Sequence, residues 1–179
     1  MGSARPVPVP VPAGRAGGRA EEGERNMVAP RVVVGGFVAG SLAVLVFHQG
    51  ALLALHLAGL VPAPPWRLAP VPPLGVPAVL SAAFWGGVWG IALALLAPRF
   101  GRGAGYWLGA LAFGAVLPTL VAWFVVLPLR GLPAGGGFAW PGVLVGPVAN
   151  GAWGLGAALL LAAGGALPLD RAGGPPGRR

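Results

Sequence analysis

Five strongly polar side chains lie inside the long apolar stretches of this chain. One of them, His56, lies near the outer end of its stretch, and the other four are the candidates for a polar cluster: His48, Gln49, Thr119 and Asn150. Imidazole, amide and hydroxyl groups in an apolar environment can bind a small polar solute or pass a proton, and they can also join helices through hydrogen bonds. Both interpretations stay open. The structural one is favoured, because Asn150 lies among small residues of the kind that pack helices.

The depth of these groups predicts that they meet. Counted at about 1.5 Å per residue from the outer ends of their stretches, His48, Thr119 and Asn150 each lie roughly 13 to 18 Å deep. Gln49 adjoins His48 in the sequence. We therefore expect one intramembrane polar cluster, in which His48 or Gln49 is the hydrogen-bond partner of Asn150.

Catalytic, metal and cofactor chemistry has little support. His48 and His56 are eight residues apart and project about 80° from one another on a helix, which is poor geometry for a shared metal. There is no Cys, and all four acids fall outside the apolar stretches: Glu21, Glu22, Glu24 and Asp170. We expect no catalytic residue, no metal site, no cofactor and no enzyme activity.

The composition is that of a membrane protein. Of the 179 residues, 56% are hydrophobic and 9% are charged, and the mean hydropathy is +0.78. A soluble domain carries roughly 25% charged residues. The net charge of +8 comes from 12 Arg and no Lys. GC-rich codon usage explains this preference better than phosphate recognition does, so we expect the lipid bilayer, and no nucleic acid, as partner.

Four apolar stretches are long enough to cross a bilayer, which takes roughly 20 helical residues: Val32–Leu60, Ala78–Ala97, Ala104–Leu127 and Gly142–Leu167. Short connections make successive helices antiparallel neighbours. The predicted fold is an all-α, polytopic membrane protein with an up-down bundle of four transmembrane helices. It would comprise a disordered Pro/Gly/Arg-rich arm at 1–30, the membrane domain at 31–168 and a short basic tail at 169–179.

Arginines predict the orientation. Ten of them flank one side of the four stretches, against only Arg67 and Arg130 on the other. If translation starts at Met27, six still oppose two. Because cytoplasmic flanks retain positive charge, both termini are expected in the cytoplasm of a bacterial cell, with the bundle in the inner membrane. The proline-rich outer loop Val61–Pro77 should then be stiff and extended, with Trp66 at the outer interface.

Small residues at four-residue spacing predict how the helices pack, because they let helix backbones approach closely in lipid. Such pairs occur on all four helices: Gly36 and Gly40, Gly86 and Gly90, Gly105 and Gly109, and Gly146 and Gly154. The last pair belongs to a longer row, with Gly142, Asn150, Ala158 and Ala162.

Two segments, Phe47–Gly50 (FHQG) and Ala83–Gly90 (AFWGGVWG), together with Pro72–Pro77, resemble a family of small, uncharacterised bacterial integral membrane proteins. The resemblance extends over about residues 27 to 97 and implies no activity. The first expectation for function is therefore an accessory or scaffolding protein, whose partner would be a second copy of the chain or another membrane protein. The alternative is a transporter of small polar solutes or protons that uses the polar level around His48 and Asn150.

Overall fold

The computed structural model describes residues 30–164, which form four membrane-length helices: α1 Pro30–Leu57, α2 Ala78–Phe100, α3 Ala104–Leu129 and α4 Gly142–Ala163. Each has a mean hydropathy of 1.5 or more over 18 residues. The prediction of an all-α bundle of four transmembrane helices is confirmed. The arm before residue 30, the tail at 169–179 and the expected end of α4 at Leu167 lie outside the described residues.

Helices α1 and α2 form one antiparallel pair, packed backbone against backbone. A Cβ atom added at Gly36 would lie 2.8 Å from the carbonyl oxygen of Gly90, and one added at Gly40 would collide with the carbonyl oxygen of Gly86. No side chain larger than hydrogen fits at Gly36 or Gly40 unless one of the two helices moves. The close approach of α1 to α2 thus depends on these four glycines.

Helices α3 and α4 form the second pair. A Cβ at Gly154 would collide with the carbonyl oxygen of Ala110 and lie 3.1 Å from the Cα of Gly114, and one at Gly146 would lie 2.9 Å from the methyl group of Thr119. The row on α4 thus packs along its middle. At its two ends, Gly142 has open space around it and Ala162 is exposed.

The glycines expected to pack α3 differ in part from those that do. Gly105 and Gly109 lie against the last residue of α2, with added Cβ atoms 2.7 Å from the Phe100 carbonyl oxygen and 2.7 Å from the Phe100 Cβ. The connection between α2 and α3 is so short that Phe100 folds back over the start of α3. The close approach to α4 falls instead to Ala110 and Gly114.

The connection between α1 and α2, named the outer loop after its predicted position, is folded back on itself, so the prediction of an extended loop is wrong. Strand β1, Pro70–Val71, pairs antiparallel with strand β2, Val76–Pro77. Gly75 closes the turn with φ +66° and an N–H bond of 3.0 Å to the Val71 carbonyl. Glycine adopts this backbone region without steric cost, which lets a proline-rich segment reverse direction.

The same loop starts α2. The N–H groups of Ala78 and Val79 donate to the carbonyls of Ala69 and Arg67, each at 3.0 Å. These first-turn amides have no acceptor within their own helix. Backbone carbonyls of the loop supply one, so the loop and the beginning of α2 are a single packed unit.

Candidate functional site

The polar residues of α1 lie at a local break in its helical pattern. The segment Val44–His48 forms a π-helical turn, and the Gln49 N–H at its end bonds to the carbonyls of Val44 and Val46. Its regular α-helical acceptor would be Leu45. Such turns are rare and recur at functional sites, and this one leaves the Leu45 carbonyl free for a partner outside the helix.

Trp66 of the outer loop is that partner. Its indole Nε1 donates to the Leu45 carbonyl at 2.9 Å, and its backbone N–H donates to Gln49 Oε1 at 2.8 Å. Gln49 is only 5% exposed. Leu45 lies twelve residues before the end of α1 at Leu57, or roughly 18 Å along the helix. Trp66 is thus fixed against the side of α1.

His48 occupies the last position of the π turn. Its Nδ1 is buried and has no hydrogen-bond partner among residues 30–164. A buried nitrogen without a partner costs free energy comparable to a lost hydrogen bond. This atom and Ser41 Oγ, which is also buried without a partner, are therefore the places on the described α1 where a proton, a water molecule or a polar solute would find an unused partner.

Thr119 and Asn150 form a separate pair between α3 and α4. Asn150 Nδ2 donates to Thr119 Oγ1 at 2.9 Å, and Thr119 is 2% exposed. Pro118 precedes Thr119 inside α3. Because proline has no N–H, it leaves the carbonyl of Gly114 without its helical donor, at the turn where Gly114 lies against the backbone of α4.

The expected single cluster is therefore divided. Within the described part of the chain, no hydrogen bond joins His48 or Gln49 to Asn150. Asn150 Nδ2 donates to Thr119, and Gln49 Oε1 accepts from the backbone N–H of Trp66. The prediction that His48 or Gln49 is the partner of Asn150 is wrong, because it omitted the outer loop, which supplies the donor to Gln49.

The remaining polar groups do not build a metal site. His56, near the end of α1, has its Nδ1 2.8 Å from the carbonyl oxygen of Val61. Among residues 30–164, no three His, Cys, Asp or Glu side chains cluster in a way that could hold a metal ion. His56 thus joins the end of α1 to the start of the following loop, and it takes no part in the hydrogen bonds of the π turn.

Two indoles that carry long-range hydrogen bonds were missed as contact residues by sequence reasoning. The sequence predicts Trp66 at the outer interface and indicates no contact for Trp153. Trp153 is 2% exposed and its Nε1 donates to the Gly40 carbonyl at 2.9 Å. The only available signal was its position one residue before Gly154, on the small-residue row of α4.

Comparison with known proteins identified no relative of this chain. No family model, curated protein or solved structure matches the chain.

Proposed function

We propose that this protein is a non-enzymatic, multi-pass protein of the bacterial inner membrane that acts as an accessory or scaffolding subunit. Its partner would be another membrane protein or a second copy of the chain. The observation that carries the proposal is the internal use of the intramembrane polar groups: Asn150 bonds Thr119, and Gln49 bonds Trp66. Groups that are already satisfied by tight packing are poor ligands for a solute.

The outward surface of α2 supports a docking role. Gly86 and Gly90 face α1, whereas Phe84 and Trp85 are 55% and 58% exposed. The two rings contact each other edge-on, with centroids 5.6 Å apart. Rigid aromatic side chains supply large contact areas at little cost in conformational entropy.

Site-specific photo-crosslinking in native membranes tests this role. A photoreactive residue at Trp85 should give one discrete cross-linked product, which would be either a dimer or a complex with a second membrane protein. Val125 on α3 is a matched control, because it is 48% exposed on another helix. Equal products from both positions, or none from Trp85, would contradict docking through α2.

The second candidate is transport of protons or small polar solutes, and the unpartnered Nδ1 of His48 favours it. Proteoliposomes that contain a pH-sensitive dye separate the two functions. A scaffold gives no flux above that of protein-free vesicles. Flux that increases with the amount of protein, is abolished by His48→Leu and persists in His56→Leu would show transport and contradict the scaffold proposal.

The proposed orientation has both termini in the cytoplasm, as the ten-to-two arginine distribution favours. The chain has no native Cys, so single cysteines report topology without background. A membrane-impermeant maleimide should label Leu68→Cys in intact cells, and Pro98→Cys only after permeabilisation. The reverse pattern would invert the orientation.

A further inference from the structure

A cleft of about 260 Å³ opens at the end of the bundle where α3 begins and α4 ends. It is lined by Arg102, Gly103, Tyr106, Trp107 and Ala162. Sites for drug-sized ligands measure roughly 300 to 1,000 Å³, so this cleft suits a smaller, compact group. The ends of membrane-spanning helices lie at the level of the lipid headgroups, which makes a headgroup the nearest candidate.

The positive charge at this end of the bundle has no acidic partner among the described residues. Residues 30–164 include five Arg and no acidic residue. Arg102 is exposed at the cleft, and Arg99 lies on the same connection, where its Nη1 donates to the Leu95 carbonyl at 3.3 Å. A guanidinium group matches phosphate oxygens with two parallel hydrogen bonds. The lining therefore complements a compact anion.

The aromatic residues of the cleft divide its walls into a fixed part and an accessible part. Tyr106 is 4% exposed and its hydroxyl donates to the Ala158 carbonyl at 2.8 Å, which fixes α3 against α4. Trp107, packed edge-on against Tyr106 with centroids 5.3 Å apart, is 39% exposed. An accessible indole beside an arginine is typical of the headgroup level of a membrane.

We propose that this cleft binds the phosphodiester headgroup of an anionic phospholipid, with Arg102 as the phosphate ligand and Trp107 against the glycerol region. The lipid chains would continue along the apolar surface of α3, where Leu108 and Leu111 are 63% and 37% exposed. A free phosphate ion would gain the contact to Arg102 but none of this apolar contact. The site therefore distinguishes a lipid from a soluble anion.

Native mass spectrometry of the full chain in detergent, titrated with phosphatidylglycerol or phosphatidylcholine, tests the proposal. Phosphatidylglycerol should bind in preference to phosphatidylcholine. Arg102→Gln should weaken it about fivefold, the ratio expected for one basic residue near an anionic surface. Binding of phosphatidylglycerol by Arg102→Lys should be intermediate between that of the unaltered protein and that of Arg102→Gln. Arg130→Gln is the matched control, because it removes one exposed positive charge at the other end of α3.

Two results would overturn the proposal. Equal weakening by Arg102→Gln and Arg130→Gln would show attraction by net charge without a site. Equal binding of inorganic phosphate and of phosphatidylglycerol at the same phosphate concentration would show a site for free anions. If Arg102→Gln does not fold, the Arg102→Lys variant provides the test. Weaker binding of phosphatidylglycerol than by the unaltered protein supports the site, and unchanged binding contradicts it.

Discussion

Trp153 on α4 donates a hydrogen bond of 2.9 Å from its indole Nε1 to the backbone carbonyl of Gly40 on α1. The indole lies beside the crossing of α1 and α2, where a Cβ added at Gly86 would come 3.3 Å from Nε1. Gly86 leaves space for the indole at that crossing because it has no side chain. One indole thus joins the α3 and α4 pair to the α1 and α2 pair.

The first prediction concerns this bond. Trp153→Phe keeps an aromatic ring in the core but removes the donor, and should destabilise the protein by about 1 kcal/mol, since hydrogen bonds between membrane helices average about 0.6 and reach roughly 1.7 kcal/mol. Unfolding in mixed micelles titrated with dodecyl sulfate measures this. Trp107→Phe, at an exposed indole, should leave the midpoint unchanged. Equal midpoints for both variants would remove the bond from the account of stability.

The second prediction separates packing glycines from open ones. Gly154→Leu places bulk against Ala110 and Gly114 and should cost about 1 to 3 kcal/mol, the usual range for overpacking. Gly50→Leu is the matched control, because nothing lies within 4 Å of a Cβ at Gly50. The same micelle titration measures both. If Gly50→Leu were as destabilising as Gly154→Leu, the loss would reflect the added leucine itself and not the helix contact.

The third prediction compares an exposed leucine on α4 with a packed one. Leu159, at 46% exposure, faces outward, whereas Leu160 packs against the buried core. Leu159→Ala should therefore change stability by less than Leu160→Ala, because only the second substitution opens a space inside the bundle. Unfolding midpoints of the two variants give the comparison. A larger loss at Leu159 would indicate that this surface is covered in the assembled protein.

The fourth prediction concerns Thr119 and Asn150. A double-mutant cycle of Thr119→Val and Asn150→Leu should show a coupling of about 0.6 to 1.7 kcal/mol, because the two side chains share one hydrogen bond. The cycle of His48→Leu and Asn150→Leu should be additive within error. Coupling of His48 to Asn150, with none between Thr119 and Asn150, would restore the cluster that the structure divides.

The fifth prediction concerns the outer loop. Trp66→Phe removes the bond to the Leu45 carbonyl and should loosen the loop, while Trp140→Phe, at a 74% exposed indole, should not. Hydrogen exchange of the Ala78 and Val79 amides reports the loosening, since the loop carbonyls accept from them. Faster exchange is expected only in Trp66→Phe. Unchanged exchange there would mean that the indole bond is not needed to hold the loop, because the bond from the Trp66 backbone N–H to Gln49 and the pairing of β1 with β2 remain.

Local composition determined the number of helices and the places where they begin. An apolar run of 20 residues satisfies its own backbone hydrogen bonds only as a helix, so α2, α3 and α4 begin where the sequence predicts, at Ala78, Ala104 and Gly142. The packing of Gly36 and Gly40 against Gly86 and Gly90 was also predictable. The connecting loop makes α1 and α2 antiparallel neighbours, and their small residues meet where the two helices cross.

Tertiary structure alone decided which polar groups meet. The sequence predicts one depth for His48, Thr119 and Asn150, but depth does not fix the direction in which each side chain points around its helix. The π turn at Val44–His48 changes that direction locally, and Trp66, far from Gln49 in sequence, takes its amide oxygen. A loop that folds back on its helix has no periodic signal, because its position depends on long-range contacts and on one turn closed by Gly75.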